Sequence, residues 1–203
     1  MSRRGQRVSK PRVISTADPR GIGYLTERFL EWRQVNGFSE ITIYGETRKL
    51  EYFAVWCEAR GVTKPVEVTK AILERYHRYL YNYRKKDGMP LTFRSQKAFL
   101  TPIRAYFRWL TRNNYIPSNP AADLDLPKEE KRLPRAIFTV EEVEQVISKV
   151  DLNELRGIRD RAILETLYST GMRRQEVVRL KISDIDMKYG IVIVREGKGR
   201  ETR

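Results

Sequence analysis

The stretch TFRSQKAFLTPIRAYFRWLTRN, residues 92–113, decides the fold of the first part of the chain. Its apolar residues recur every three or four positions, which is the period of an α-helix that packs one side against a core. The core-facing positions are Phe93, Leu100, Ile103, Phe107 and Leu110. We therefore predict a helix that begins between Thr92 and Ser95 and ends near Asn113, with Pro102 kinking or briefly interrupting it.

A second stripe of the same helix is basic. Its members are Arg94, Lys97, Arg104, Arg108 and Arg112. This stripe lies about 110–120° around the helix from the apolar one, so the basic side can face outward while the apolar side packs. No acidic residue interrupts it, and like charges four residues apart repel each other. A solvated charged face is one interpretation; a surface that contacts phosphates is the other, and we favour it because it compensates the repulsion.

Three more helices are predicted upstream, over residues 23–35, 39–60 and 69–86. Ser39 and Thr69 are N-cap candidates, and glycines or Asn-Gly and Asp-Gly pairs follow each helix as stop signals. The inward positions are Leu25, Phe29, Leu30 and Trp32 in the first; Ile43, Leu50, Phe53, Ala54 and Cys57 in the second; and Ile72, Leu73, Tyr76, Leu80 and Tyr83 in the third. Together with residues 92–113 they predict a small four-helix bundle.

Prolines and charges divide the chain into segments. Residues 1–20 are basic with little apolar periodicity, which predicts a flexible basic arm. Residues 21–127 form the helical domain. Prolines and charges become dense over 113–138, which indicates an extended connection with the linker proper at 128–138 and the boundary between Pro127 and Arg135.

Residues 139–203 predict the first part of an α+β domain. Thr139 and Glu142 have the spacing of a capping box for a helix over 139–150. Helices over 157–170 and 174–180 follow, and the inward candidates of the former are Ala162, Ile163, Leu167 and Tyr168. From Asp184 the period changes to two, with a turn at residues 189–190, which predicts a small antiparallel sheet. Residues 196–200 are predicted as a glycine-rich hairpin tip and 201–203 as the start of a strand. The fold class is therefore mainly α.

Composition bounds the function. The 203 residues contain 40 Lys and Arg against 26 Asp and Glu, a net charge of +14. This balance favours a polyanionic partner, with nucleic acid first and an acidic membrane second. The sequence has no apolar run of the roughly 18 residues that a membrane span needs, so we expect a cytoplasmic protein. With Cys57 and His77 as the single residues of their types, neither an internal disulfide nor a familiar zinc cluster is expected. We predict Cys57 as an inert core residue.

Three short motifs follow in order near the C-terminus. They are TGMRRQEV at 170–177, SDI at 183–185 and GKG at 197–199. Upstream, Asn-Pro stands at 119–120 and Leu-Pro at 126–127. In this order and spacing the chain resembles the tyrosine recombinases of the phage integrase and Xer type. The resemblance implies a SAM-like core-binding bundle followed by a truncated catalytic domain.

The resemblance also implies a site. Arg173 matches the first catalytic arginine, which stabilises the charge of the phosphorane-like transition state, and Lys198 matches the general acid on a hairpin tip. Glu176 is implied to orient the arginine's helix and Arg174 to contact solvent or phosphate. The reaction that the resemblance implies is metal-free and needs no cofactor. The alternative for Arg173 is an ordinary cation at a helix start, and the alternative for Lys198 is a lysine with no role beyond the turn. Two residues, Gln175 and Glu201, depart from the family pattern.

Double-stranded DNA is the implied partner, with a homo-tetramer on two paired sites. The nucleophile of the family, its His-x-x-Arg motif and its later His or Trp have no counterpart in these 203 residues, and neither Tyr168 nor Tyr189 matches the nucleophile's position. We therefore expect this chain alone to bind DNA without cleaving it. A non-catalytic DNA-binding factor at recombination sites and a protein-interaction module with a basic face are the alternatives.

Overall fold

The computed structural model describes residues 15–128 and 137–195, which lie in two compact units, called unit 1 and unit 2. Unit 1 contains α1 (Ile22–Val35), α2 (Glu40–Glu58), a 3₁₀ turn (Pro65–Glu67), α3 (Lys70–Asn82) and α4 (Phe93–Arg112). Unit 2 contains α5 (Val140–Ser148), α6 (Leu155–Thr170), α7 (Arg174–Arg179), a second 3₁₀ turn (Ile182–Asp184), β1 (Ile185–Asp186) and β2 (Ile191–Val192). The predicted fold class is confirmed: four bundled helices precede a helical unit with a small antiparallel sheet.

Some predictions fall on residues outside those described. They are most of the basic arm, residues 1–14; most of the linker, residues 129–136; and the hairpin tip with its following strand, residues 196–203.

Hydroxyl side chains start the helices as the sequence predicts. The Ser39 hydroxyl accepts a hydrogen bond from the Thr42 backbone N–H at 3.3 Å, and the Thr69 hydroxyl accepts one from the N–H of Ile72 at 3.4 Å. Thr92 repeats this arrangement at the start of α4. Each cap satisfies a backbone donor that has no partner within the helix, so these residues fix where α2, α3 and α4 begin.

α4 supplies much of the core of unit 1. Leu100, Ile103, Phe107 and Leu110 are fully buried, as predicted. The ring of Phe53 on α2 packs edge-on against the ring of Phe107, with centroids 6.1 Å apart. Burying a side chain of this size stabilises the fold by about 2–3 kcal/mol. α4 continues through Pro102, which is buried, so of the two predicted effects the interruption is wrong, while the kink stays a prediction.

Cys57 lies in the same core. Its side chain is fully buried, and burial raises the pKa of its thiol to about 12. A thiol with this pKa stays protonated at neutral pH and is a poor nucleophile. The predicted core position of Cys57 is confirmed.

The end of α3 differs from the prediction. The helix stops at Asn82, four residues before the predicted end at residue 86, because Tyr83 is extended and the chain turns back. Arg84 pairs with Pro90 in a β-bridge, and the Lys85 N–H donates to the Met89 carbonyl at 2.9 Å. This turn satisfies the backbone in place of another helical turn, and it leaves Tyr83 exposed rather than inward.

Two further core assignments of unit 1 are wrong in part. Trp32 and Phe93 are both exposed, because each lies at the edge of its helix's apolar side rather than at its centre. The other inward predictions for α1 to α3, Tyr83 excepted, are buried or half-buried.

Residues 113–127 are not the extended connection that their prolines suggested. Ile116, Ala121 and Leu124 are buried in the core of unit 1. The Asn119 side-chain oxygen accepts a hydrogen bond from the Ala121 N–H at 2.9 Å and holds the turn between them. The segment therefore belongs to the bundle.

Among its described residues, unit 2 has fewer buried side chains than unit 1. The predicted capping box of α5 is confirmed: the Thr139 hydroxyl accepts from the Glu142 N–H, and the Glu142 carboxylate accepts from the Thr139 N–H at 2.9 Å. In α6, however, Ala162, Ile163 and Tyr168 are exposed and Leu167 is half-buried. The predicted inward role of Ala162, Ile163 and Tyr168 is therefore wrong among the described residues, where α6 packs chiefly against α5 and α7.

One ion pair in unit 1 yields a stability prediction. The Arg33 guanidinium donates to the Glu46 carboxylate at 2.7 Å, both side chains are 13% exposed, and Arg33 also lies 4.0 Å over the Phe38 ring. Arg33→Ala should lower the free energy of unfolding by about 3 kcal/mol, because it leaves a buried carboxylate unpaired. Urea unfolding followed by tryptophan fluorescence measures this in unit 1, which contains all three tryptophans.

Arg28→Ala is the matched control. Arg28 also pairs with a glutamate, Glu31, at 2.9 Å, but both side chains are mostly exposed. Removing the Arg28 side chain should cost less than about 1 kcal/mol. Equal destabilisation by the two substitutions would show that burial of the Arg33 pair contributes nothing.

Candidate nucleic-acid interface

The basic stripe of α4 lies at the surface of unit 1. Arg94, Arg108 and Arg112 are exposed, and Lys97 and Arg104 are half-buried. The four-residue steps from 104 to 108 to 112 place these arginines one turn apart along a single side. Because the apolar side of α4 is buried in the core, the orientation of the basic side is fixed. The stripe can therefore present a row of cations to an extended polyanion.

The helix dipole of α4 disfavours a basic residue at one end of the helix and favours one at the other. α4 contains no acidic residue, and Arg94 lies in its first turn, where the positive end of the helix dipole disfavours a cation. Arg112 lies in the last turn, where the dipole favours one. Arg94 and Arg112 thus lie at the two ends of the basic stripe.

Unit 2 presents a second pair of cations, at the start of α7. α6 ends at Gly171, whose φ of 61° is the left-handed conformation that closes many helices. Met172 is buried and anchors the turn, and Arg173 then serves as the N-cap residue of α7. The expectation that Arg173 stands at the start of a helix is therefore met, and Arg174 follows it as an exposed residue.

Glu176 holds Arg173 in place. Its carboxylate accepts hydrogen bonds from the Arg173 backbone N–H at 2.8 Å and from the Arg173 guanidinium at 2.9 Å. The Glu176 side chain is 5% exposed, whereas the Arg173 side chain is 55% exposed. The guanidinium is thus held at one nitrogen while much of the side chain is exposed to solvent. Because a guanidinium has five N–H donors, it can also bind a second anion.

A buried aspartate ties the small sheet together, and its partner Arg195 was not foreseen from any sequence motif. The Asp184 carboxylate accepts from the guanidinium of Arg195 and, at 3.0 Å, from the Lys181 N–H. Two hydrogen bonds hold the pKa of Asp184 below its usual value: the bond from Arg195 has the larger effect, and the bond from the Lys181 N–H has the smaller one. The Ile193 N–H donates to the Asp184 carbonyl at 2.8 Å. These contacts fix the strand that leads toward Lys198.

The predicted site residues are only partly brought together. Within α4 the five basic residues share one helix, and within unit 2 Arg173 and Arg174 are neighbours. Lys198 lies outside the described residues, so its distance from Arg173 stays a prediction. Among residues 15–128 and 137–195, no cluster of three or more His, Cys, Asp or Glu side chains could hold a metal ion. No helix in the same ranges is long and apolar enough to span a membrane.

Comparison with known proteins decides the family. Residues 136–203 match the Phage integrase family. The chain is 48% identical over 177 residues to tyrosine recombinase XerC 2 of Ralstonia nicotianae, covering 87% of this chain and 51% of that protein. The chain belongs to the phage integrase family of tyrosine recombinases. Tyrosine recombinase XerC of Bacillus pumilus is 32% identical over 180 residues, covering 88% and 56% of the two chains.

Solved structures of this family share the fold. A lambda integrase tetramer bound to a Holliday junction matches with a TM-score of 0.66 at 17% identity, covering 98% of this chain and 55% of that one. The Tn1549 transposon integrase in complex with a circular intermediate DNA matches with a TM-score of 0.63 at 17% identity, covering 90% and 56%. The chain thus spans about half the length of the tyrosine recombinases that it matches.

Proposed function

We propose that this chain supplies the DNA-gripping bundle and the first catalytic residues of a site-specific tyrosine recombinase, which breaks and rejoins DNA through a 3′-phosphotyrosyl link. The observation that carries the proposal is the basic stripe of α4, which is held at the surface because the apolar side of the same helix is buried in the core. Membership of a recombinase family and 48% identity to a XerC recombinase support the same function.

In this proposal α4 binds the phosphate backbone of duplex DNA. Arginine suits the role because its planar guanidinium donates two parallel hydrogen bonds to one phosphate. Arg104, Arg108 and Arg112 would meet phosphates in succession, with Arg94 and Lys97 extending the contact toward the start of the helix. Such contacts position the protein and carry no sequence information of their own.

Arg173 and Lys198 would act on the scissile phosphate. The anchored Arg173 guanidinium would stabilise the charge that accumulates on the non-bridging oxygens as the nucleophile attacks. Lys198 would give a proton to the departing 5′ oxygen. Glu176 would act as a positioning residue through its two hydrogen bonds to Arg173. The nucleophilic tyrosine and the His-x-x-Arg motif are not among these 203 residues.

Two consequences belong to the same proposal. These 203 residues would bind DNA without cutting it, because attack on the phosphate needs the tyrosine. A complete recombinase containing them would work as a tetramer on two paired sites, as the lambda integrase tetramer on a Holliday junction suggests.

Salt dependence tests the DNA assignment. Binding of a fluorescein-labelled duplex, followed by anisotropy, should weaken on the order of 10³-fold between about 50 and 200 mM salt if about six phosphates are neutralised. The steep decrease is expected because each phosphate contact releases condensed counterions. Weak binding that hardly changes with salt would contradict both the recombinase and any other duplex-binding role.

A polyglutamate peptide of matched charge is the control. It is flexible and carries a lower linear charge density than duplex DNA, so it should bind more weakly at every salt concentration. Equal or tighter binding of the peptide would instead favour a protein-interaction module with a basic face.

A further inference from the structure

A cleft in unit 1, away from the residues assigned above, is lined by cations and aromatic rings. It lies between the C-terminal part of α2 and α3, with a volume of about 440 Å³. Arg60, Arg75 and Arg78 line it, together with Trp56 and Tyr79, and no carboxylate does so among the described residues. Arg75 and Arg78 are three residues apart on α3 and are therefore neighbours on its surface. Like charges gathered in this way favour an anion.

The aromatic wall of the cleft is held in place. The Arg60 guanidinium lies 4.1 Å above the Trp56 ring and donates to the Trp56 carbonyl at 2.9 Å. The Tyr79 ring lies 6.1 Å from that of Trp56, and Tyr79 is 41% exposed. Tyr76, fully buried beneath them, packs edge-on against Trp56 with centroids 5.1 Å apart. A partly exposed ring on a rigid base can stack a planar group with little loss of entropy.

One side chain that lines the cleft also carries a buried donor. Trp56 is 7% exposed, yet its indole N–H has no hydrogen-bond partner among the described residues. Buried polar groups without a partner cost free energy and are uncommon in folded proteins. The cleft therefore combines three cations with a partly exposed tyrosine ring.

We propose that this cleft binds one nucleotide of single-stranded nucleic acid, with its phosphate among Arg60, Arg75 and Arg78 and its base stacked on Tyr79. Cations that follow a backbone and aromatic rings that stack bases are how single strands are bound without sequence preference. In a duplex the base faces are already stacked and cannot reach a ring. An acidic peptide would satisfy the arginines but leave the aromatic wall unused, so the single strand is the better fit.

The indole N–H signals of the three tryptophans provide the test. In a ¹H–¹⁵N correlation spectrum, adding oligo(dT) of eight nucleotides should shift the Trp56 indole signal, assigned with Trp56→Phe, and leave that of Trp109 in place. Arg75→Ala together with Arg78→Ala should weaken oligo(dT) binding at least tenfold. Arg28→Ala and Lys86→Ala together remove the same charge from exposed positions outside the cleft and should change it less than threefold.

The outcomes separate this site from the duplex site. The Trp56 response to oligo(dT) should survive Arg104→Glu with Arg108→Glu, so loss of duplex binding alone leaves the cleft assignment standing. An unmoved Trp56 signal at saturating oligo(dT), or equal weakening by the two double variants, would overturn it. So would an octaglutamate peptide that shifts Trp56 at the same or lower concentration.

Discussion

Arg104→Glu combined with Arg108→Glu is expected to abolish duplex binding, lowering affinity by at least about 100-fold near 100 mM salt. Each substitution removes one phosphate contact and places a carboxylate against the phosphate backbone. Neither residue belongs to the buried side of α4, so the helical circular dichroism at 222 nm should be unchanged. Anisotropy titration with the labelled duplex measures the change in affinity.

The control reverses two charges elsewhere in unit 1. Arg28 and Lys86 are exposed and lie outside α4, so Arg28→Glu with Lys86→Glu changes the net charge by the same amount. This variant should bind the duplex with an affinity within about fivefold of that of the unsubstituted chain. That difference is the part of the affinity loss that the change in net charge alone causes. If the two double variants bind equally well, α4 does not form the interface.

Arg173→Ala, made in a complete recombinase that contains these residues, is expected to slow phosphotyrosyl formation by about 10²–10³-fold. That is the range for removing one preorganised donor from a developing negative charge. Duplex affinity should stay within about threefold, because the other phosphate-binding residues are unchanged. A nicked suicide substrate, which traps the covalent intermediate, gives the rate. Arg174→Ala is the neighbouring control and should weaken binding without slowing cleavage by the bound protein.

Lys198→Ala separates the two proposed catalytic roles. It too should suppress phosphotyrosyl formation while leaving duplex binding nearly normal. A substrate with sulfur in place of the 5′ bridging oxygen should restore cleavage to this variant, because a thiolate departs without a proton, but should not restore it to Arg173→Ala. Full cleavage of the ordinary substrate by Lys198→Ala would show that this lysine is not the general acid.

Local signals in the sequence were sufficient to predict the bundle. The periods of α2 and α4 placed Leu50, Phe53, Ile103 and Phe107 in the core, where they are fully buried. Caps such as Ser39 and Thr69 marked where helices begin, because a hydroxyl at that position satisfies a specific backbone donor. The same reasoning separated the basic side of α4 from its packed side, and it placed Arg173 at the start of α7.

Interactions between residues distant in sequence set the limits of that reasoning. Prolines over 113–127 indicated a linker, yet Ile116 and Leu124 pack into the core, which composition alone does not reveal. At Gly157 an added Cβ would overlap the Asp151 carbonyl oxygen, so the close approach of two backbones, rather than local propensity, requires glycine there. The aromatic cleft was missed for the same reason: Trp56 and Arg60 on one side of it meet α3 only after folding.

The salt dependence of a neutral double variant tests the central claim most directly, since it reports how many phosphates α4 neutralises. Arg104→Ala with Arg108→Ala should make the slope of log K against log salt concentration shallower by about 1.8, or about 0.9 for each arginine that no longer binds a phosphate. A slope equal to that of the unsubstituted chain would show that neither arginine binds a phosphate, and would contradict the assignment of α4 as the DNA-binding surface.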